Sequence, residues 1–106
     1  MVKLNIAPEA QSDLQSIKKY ILTELENQTA AVTVISNITK TIRRLIDFPE
    51  IGTPLSSIIK VQTDYRFLVS GNYLIFYRFE ADIAYIIRIL YRKRDYLKVL
   101  PIEKKV

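Results

Sequence analysis

The apolar positions of the chain fall into two rhythms. Between Ala10 and Leu45 they recur every three or four residues, and between Tyr65 and Tyr91 they crowd and alternate. The first rhythm is helical. Ala10, Leu14, Ile17, Ile21 and Leu25 form one stripe, and Ala31, Ile35, Ile38, Ile42 and Leu45 form a second. Pro8 suits the first turn of the first helix, where its missing N–H would be unpaired anyway. Glu9 and Asp13 suit the positive end of that helix dipole. Asn27 and Gln28 break the pattern, so the two helices form an antiparallel hairpin. Lys40, Arg43 and Arg44 lie on the polar face of the second helix, which "DFPEIGTP" terminates.

The second rhythm predicts strands at roughly 64–69, 73–79 and 83–92, joined by the short turns "SGN" and "EAD". "VKLNI" at the start alternates as an edge strand does, and "SSIIKVQT" has the character of an irregular strand. The expected order is β-α-α-β-β-β, an α+β fold with the helical hairpin on one face of a small antiparallel sheet. One domain over residues 1–106 is expected, with "PIEKKV" (101–106) a loose tail.

"YRFLVSGNYLIFYRF" carries Arg66 and Arg78 inside an otherwise apolar run, and alternation sorts their directions. Pairing Val69 with Tyr73 and Phe79 with Ile83 puts Tyr65, Phe67, Val69, Tyr73, Ile75, Tyr77 and Phe79 together with Ile83, Tyr85, Ile87, Ile89 and Tyr91 on an uncharged face. That face belongs under the helices. The other face receives Arg66, Leu68, Leu74, Phe76 and Arg78 with Ala84, Ile86, Arg88, Leu90 and Arg92. Burying an unpaired guanidinium costs several kcal/mol, so this second face is expected to be open. An open face mixing apolar and basic groups reads as a binding surface. Arg78 stands opposite Asp64 in this register and can pair with it, whereas Arg66 has no acidic neighbour and is the better functional candidate. A one-residue slip in any strand would overturn the assignment.

Composition narrows the chemistry. The 106 residues include no cysteine and no histidine. Disulfides, thiolate metal sites and the commonest general base are therefore absent, and neither a metal nor a cofactor is expected. No apolar run is long enough to cross a bilayer, and the first residues show no signal-peptide pattern, so a soluble cytoplasmic protein is expected. A net charge of +5 points to an acidic partner, nucleic acid or protein. The densest charge is in "YRKRDY". There Arg92, Lys93 and Arg94 lie between Tyr91 and Tyr96, a mixture suited to phosphate contact with base stacking. A solvated strand end with Asp95 capping the next turn is the plainer explanation.

The motif order resembles one family. "FPEIG", then "YRFLVSGNYLIFYR", then "IIRILYRKRDY" is similar to the RelE/ParE superfamily of bacterial type II toxins, and the likeness runs from "APEAQSDLQSIKKYI" to "DYLKVL". The resemblance implies a small basic toxin held inactive by a cognate acidic antitoxin in a hetero-oligomer. It implies one of two activities. RelE-like members are metal-free endoribonucleases that cut messenger RNA on the ribosome with basic residues and a C-terminal tyrosine or histidine. By this likeness Arg66, Tyr91, Arg92 and Tyr96 would be the catalytic candidates. ParE-like members poison DNA gyrase without those groups. Arg66, Arg78, Arg88, Arg92, Lys93 and Arg94 would then contact a protein or nucleic-acid partner. Leu68 and Leu74 stand where the nuclease branch tends to carry charge, which places the motifs nearer the ParE-like branch.

A physical argument leans the same way. A tyrosine of pKa near 10 would need lowering by about 3 units, roughly 4 kcal/mol, to act as a base at neutral pH. Two readings therefore accompany gyrase poisoning: the ribosome-dependent endoribonuclease, and a degenerate member that only binds its antitoxin.

Overall fold

A computed structural model describes residues 1–101. Strand β1 (Lys3–Ile6) leads into α1 (Pro8–Thr23) and α2 (Gln28–Arg43), with a 3-10 turn at Arg44–Ile46. A two-residue strand β2 (Thr53–Pro54) and a 3-10 turn at Leu55–Ser57 precede β3 (Arg66–Ser70), β4 (Tyr73–Glu80) and β5 (Ile83–Tyr91). A last 3-10 turn spans Tyr96–Lys98. The sheet order is β1-β5-β4-β3-β2.

The helices follow their stripes. Pro8 opens α1, and the Asn27 side chain caps α2 by accepting from the Ala30 N–H at 2.9 Å. Ala10, Ile17 and Ile21 of α1 and Ala31, Ile38 and Ile42 of α2 are buried against the sheet. Leu25 falls beyond the end of α1 and is 56% exposed. "SSIIKVQT" contributes no strand; only Thr53 and Pro54, ahead of it, pair with β3.

Three expectations need correction. The sheet is mixed: β1 is an edge strand as expected but runs parallel to β5. Both hairpin registers are shifted by one residue. Ser70 faces Tyr73 across Gly71-Asn72, and Glu80 faces Ile83 across Ala81-Asp82. Ala81 (φ 51°) and Asp82 (φ 62°) both take the left-handed conformation that such a two-residue turn demands. With no glycine to announce it, the turn reads as a longer loop in the sequence.

The shift leaves the β4 assignment intact and inverts β3. Leu68 joins Ile75 and Tyr77 under the helices, while Tyr65 and Phe67 turn to the other side. On β5, Ala84 and Ile86 now face the helices. A bulge then intervenes: Tyr77 pairs with Ile86 and Phe76 with Arg88, leaving Ile87 without a partner. Beyond it Ile89 packs under the helices, as expected.

The third correction concerns the second face, which is not open. Leu55, Tyr65, Phe76, Leu90 and Leu100 form a second buried cluster there, with Phe67, Leu74, Ile87, Tyr96 and Val99 packed against it. Phe76 stacks on Tyr96 with ring centroids 5.1 Å apart. The segment 55–65 and the C-terminal turn therefore cover the sheet. Of the expected loose tail, Pro101 accepts a hydrogen bond from the Tyr65 hydroxyl at 3.4 Å; residues 102–106 lie outside the described residues.

Ala81 offers a direct check on the turn. A non-glycine residue in the left-handed region costs about 1–2 kcal/mol, part of which glycine returns through a more flexible unfolded chain. Ala81→Gly should therefore stabilise the protein by up to about 1 kcal/mol, seen as a thermal midpoint several degrees higher. A lower midpoint would mean that the Ala81 methyl makes contacts outweighing its strain.

Candidate functional site

The basic residues expected to share one open surface are distributed over four environments. Arg66 begins β3 opposite Tyr77. Its guanidinium donates to the Gly52 carbonyl at 2.8 Å and the Glu50 carbonyl at 3.1 Å. The Tyr77 hydroxyl lies in the same loop, accepting from the Gly52 N–H at 2.9 Å and donating to the Pro49 carbonyl at 2.8 Å. A Cβ on Gly52 would stand 2.5 Å from the Tyr77 ring, so glycine is required for this close approach. Arg66 and Tyr77 together hold the Pro49–Gly52 segment against the sheet. The first expectation, of an Arg66 free on an open face, fails because backbone carbonyls supply the partners that no acid provides.

Arg88 is likewise not on an open face. Next to the bulge at Ile87 it meets α1, where its Nε donates to Asp13 Oδ2 at 2.7 Å and its terminal nitrogen to Asp13 Oδ1 at 2.8 Å. The side chains are only 20% and 11% exposed. The Asp13 hydrogen bonds hold Arg88 above the ordinary guanidinium pKa. Asp13 was expected only to complement a helix dipole; instead it lies one and a half turns into α1 and anchors the helix to β5. Charge-neutral burial of Arg88 is possible because of this fork.

Arg78 behaves as its sequence position suggested. It lies 4.0 Å from Asp64 and 3.4 Å from Glu80, with its guanidinium over the Tyr85 ring at 5.7 Å. These contacts are partly exposed and contribute little individually.

Arg92, Lys93 and Arg94 are the cations that do reach solvent. Their backbone is fixed: the Arg92 N–H donates to the Asn72 carbonyl at 2.8 Å and the Arg94 N–H to the Tyr91 carbonyl at 2.9 Å. Among the described residues none of the three forms a salt bridge. Asp95 pairs with Lys98 at 3.7 Å and makes no side-chain cap, contrary to the role expected for it.

The four nuclease candidates do not converge. Arg66 and Tyr77 lie level with Ile86, and Tyr91 is five residues further on, so Arg66 and Tyr91 are about 13 Å apart along the strands and about 10 Å across them. Arg66 points at the Pro49–Gly52 segment, Arg92 follows Tyr91 at the far end of β5, and Tyr96 is packed on Phe76. Burial pushes Tyr65, Tyr73 and Tyr77, none of them among those four, above the ordinary phenol pKa.

Two helices thus lie on one face of a five-stranded mixed sheet, with a basic turn at the end of its longest strand. A chain from the chromosomal ParDE toxin–antitoxin system of P. aeruginosa superimposes with a TM-score of 0.72 at 19% identity, covering 86% of this chain and 96% of that one. The profile of the family described as the ParE toxin of the type II toxin–antitoxin system parDE matches residues 4–96. The chain belongs to that family. No curated protein sequence matches it.

Sequence reasoning missed the roles of Asp13, Gly52 and Tyr77. Tyr77 carried no signal beyond strand alternation, whereas Gly52 between Pro49 and Pro54 marked a constrained loop without naming what it approaches.

The buried phenols predict an alkaline limit. A group whose folded pKa is raised contributes stability that is complete below its unfolded value, about 10 for tyrosine, and is lost as pH climbs through the folded value. Stability should therefore fall above about pH 10. Tyr77→Phe should lower stability at neutral pH by about 1–3 kcal/mol, through the orphaned Gly52 and Pro49 groups, and should also make the alkaline decline shallower. Denaturant titrations of both proteins from neutral to alkaline pH test this; parallel pH curves would contradict it.

Proposed function

We propose that this chain arrests bacterial growth by poisoning DNA gyrase in the cytoplasm and is neutralised by a cognate acidic antitoxin. Membership of the ParE toxin family supports a toxin paired with an antitoxin. The observation that carries the choice of mechanism is the commitment of Arg66 to the Gly52 and Glu50 carbonyls, at the opposite end of the strands from Tyr91. A ribonuclease must bring a proton acceptor and cationic groups within hydrogen-bond reach of one phosphate. A gyrase poison needs no such convergence. It needs an accessible surface complementary to its target, and Arg92, Lys93 and Arg94 offer one.

Expression without antitoxin should stop growth and cause DNA damage. Purified toxin with gyrase and plasmid should accumulate cleaved DNA, while ribosomal messages remain intact. Arg66→Ala should act through the fold, costing about 1–3 kcal/mol for its lost charged hydrogen bonds. Site-specific cutting of messages on ribosomes, abolished by Arg66→Ala at unchanged folding, would overturn the gyrase reading in favour of the endoribonuclease. Normal growth with confirmed folded protein would leave only an antitoxin-binding module.

The antitoxin should associate faster as salt falls, because its acidic groups are steered towards Arg92, Lys93 and Arg94. The Debye length is about 10 Å at 0.1 M salt. An association rate unchanged between about 50 and 300 mM salt would therefore remove electrostatic steering from the account.

A further inference from the structure

β5 has two neighbours for only part of its length. β1 pairs with Ile83–Ile86 and then turns into α1, the last bond on that side being the Ala7 N–H to the Ile86 carbonyl at 2.9 Å. From Ile87 to Tyr91, among the described residues, no strand lies on that side of β5, and β4 is its one neighbour. The polar groups on that side can be placed from the ladder. Ser70 and Tyr73 close a two-residue hairpin, so Tyr73 bonds towards β3 and its partner Tyr91 must point outwards. Ile89, two residues earlier, points outwards as well. A groove of about 840 Å³ between α1 and this edge, bordered by Ser16, Tyr20, Tyr73, Tyr91 and Arg94, leaves room for an incoming chain.

A free edge of this kind templates strand addition. Here one side chain occupies the place of the missing strand. Asp13 Oδ2 accepts the Ile89 N–H at 2.9 Å while the same carboxylate is forked by Arg88. The Tyr91 carbonyl is taken by Arg94, which leaves little of the edge unpaired.

We infer that Asp13 is an edge guard: it closes the distal half of β5 to strand pairing, and its removal opens that edge to a second copy of this chain. Two identical short edges can pair about a two-fold axis so that each satisfies the other, which makes a second copy the natural occupant. The inference is independent of the gyrase reading, since it concerns the free toxin alone.

The test must separate an opened edge from a charge left unpaired. Two double variants do so. Asp13→Asn with Arg88→Met keeps an acceptor for the Ile89 N–H, and Asp13→Ala with Arg88→Met removes it; both lack the ion pair. Light scattering of the purified full chain should give one chain for the wild type and the asparagine variant. For the alanine variant the mass should rise towards two chains with concentration. Adding Tyr91→Pro, which deletes the outward N–H without touching the β4 ladder, should return the alanine variant to one chain. Equal masses for the two double variants, whether both single or both associated, would overturn the inference. Amide exchange in the wild type tests the guard even where the alanine variant fails to fold. The Ile89 amide should be protected at least about tenfold relative to Tyr91, and equal exchange at the two positions would overturn the proposal.

Discussion

Ile87 is one residue more than the ladder between β4 and β5 can pair. That surplus reverses the facing of everything after it on β5. Before the bulge Ala84 and Ile86 are directed at the helices; after it Ile89 resumes the same side, while Arg88, next to the unpaired Ile87, forks the Asp13 carboxylate of α1. Without the insertion, strict alternation beyond Ile86 would carry Arg88 under the helices and Ile89 to the second face. The bulge also coincides with the point where β1 leaves the sheet, so strand, helix and edge are joined at one place by the Asp13 carboxylate.

The arginines separate into two kinds once their partners are considered. Arg66 and Arg88 are partly buried, and each donates two hydrogen bonds, to carbonyls in one case and to a carboxylate in the other. Desolvating such groups is tolerable only under those conditions, so both are committed to structure. Arg92 and Arg94, with Lys93, remain hydrated, and their backbone is fixed by hydrogen bonds while their side chains are free to meet a partner. Surface charge of this kind acts on encounter more than on fold stability.

How much of this the sequence disclosed depends on how local each feature is. The two helical stripes, the Pro8 start, the break near Asn27 and the element order follow from short-range periodicity and are all present. The likeness to the RelE/ParE superfamily was legible from the last forty residues, and Arg78 approaches Asp64 as expected although the shifted register takes the two out of direct opposition. What failed was register. Ala81 in a left-handed conformation contradicts its own propensity, and only the sheet on both sides holds it there. The parallel pairing of β1, the fork between residues 13 and 88, and the contact of Gly52 with Tyr77 join distant parts of the chain. No local pattern encodes them.

The second buried cluster changes which surfaces can serve a toxin. Leu55, Tyr65, Phe76, Leu90 and Leu100 fill the face opposite the helices, so a partner meets the sheet only at its edges and strand ends or must displace the covering turns. Among those places the β5 edge is occupied by Asp13, while the turn after Tyr91 projects three cations from a fixed backbone. A recognition surface at a strand end is small, and charge at such a site gains more from long-range steering than from buried area. Substitution in the Arg92–Arg94 turn can therefore leave untouched the buried polar contacts that hold the sheet, because the two sets share no side chain.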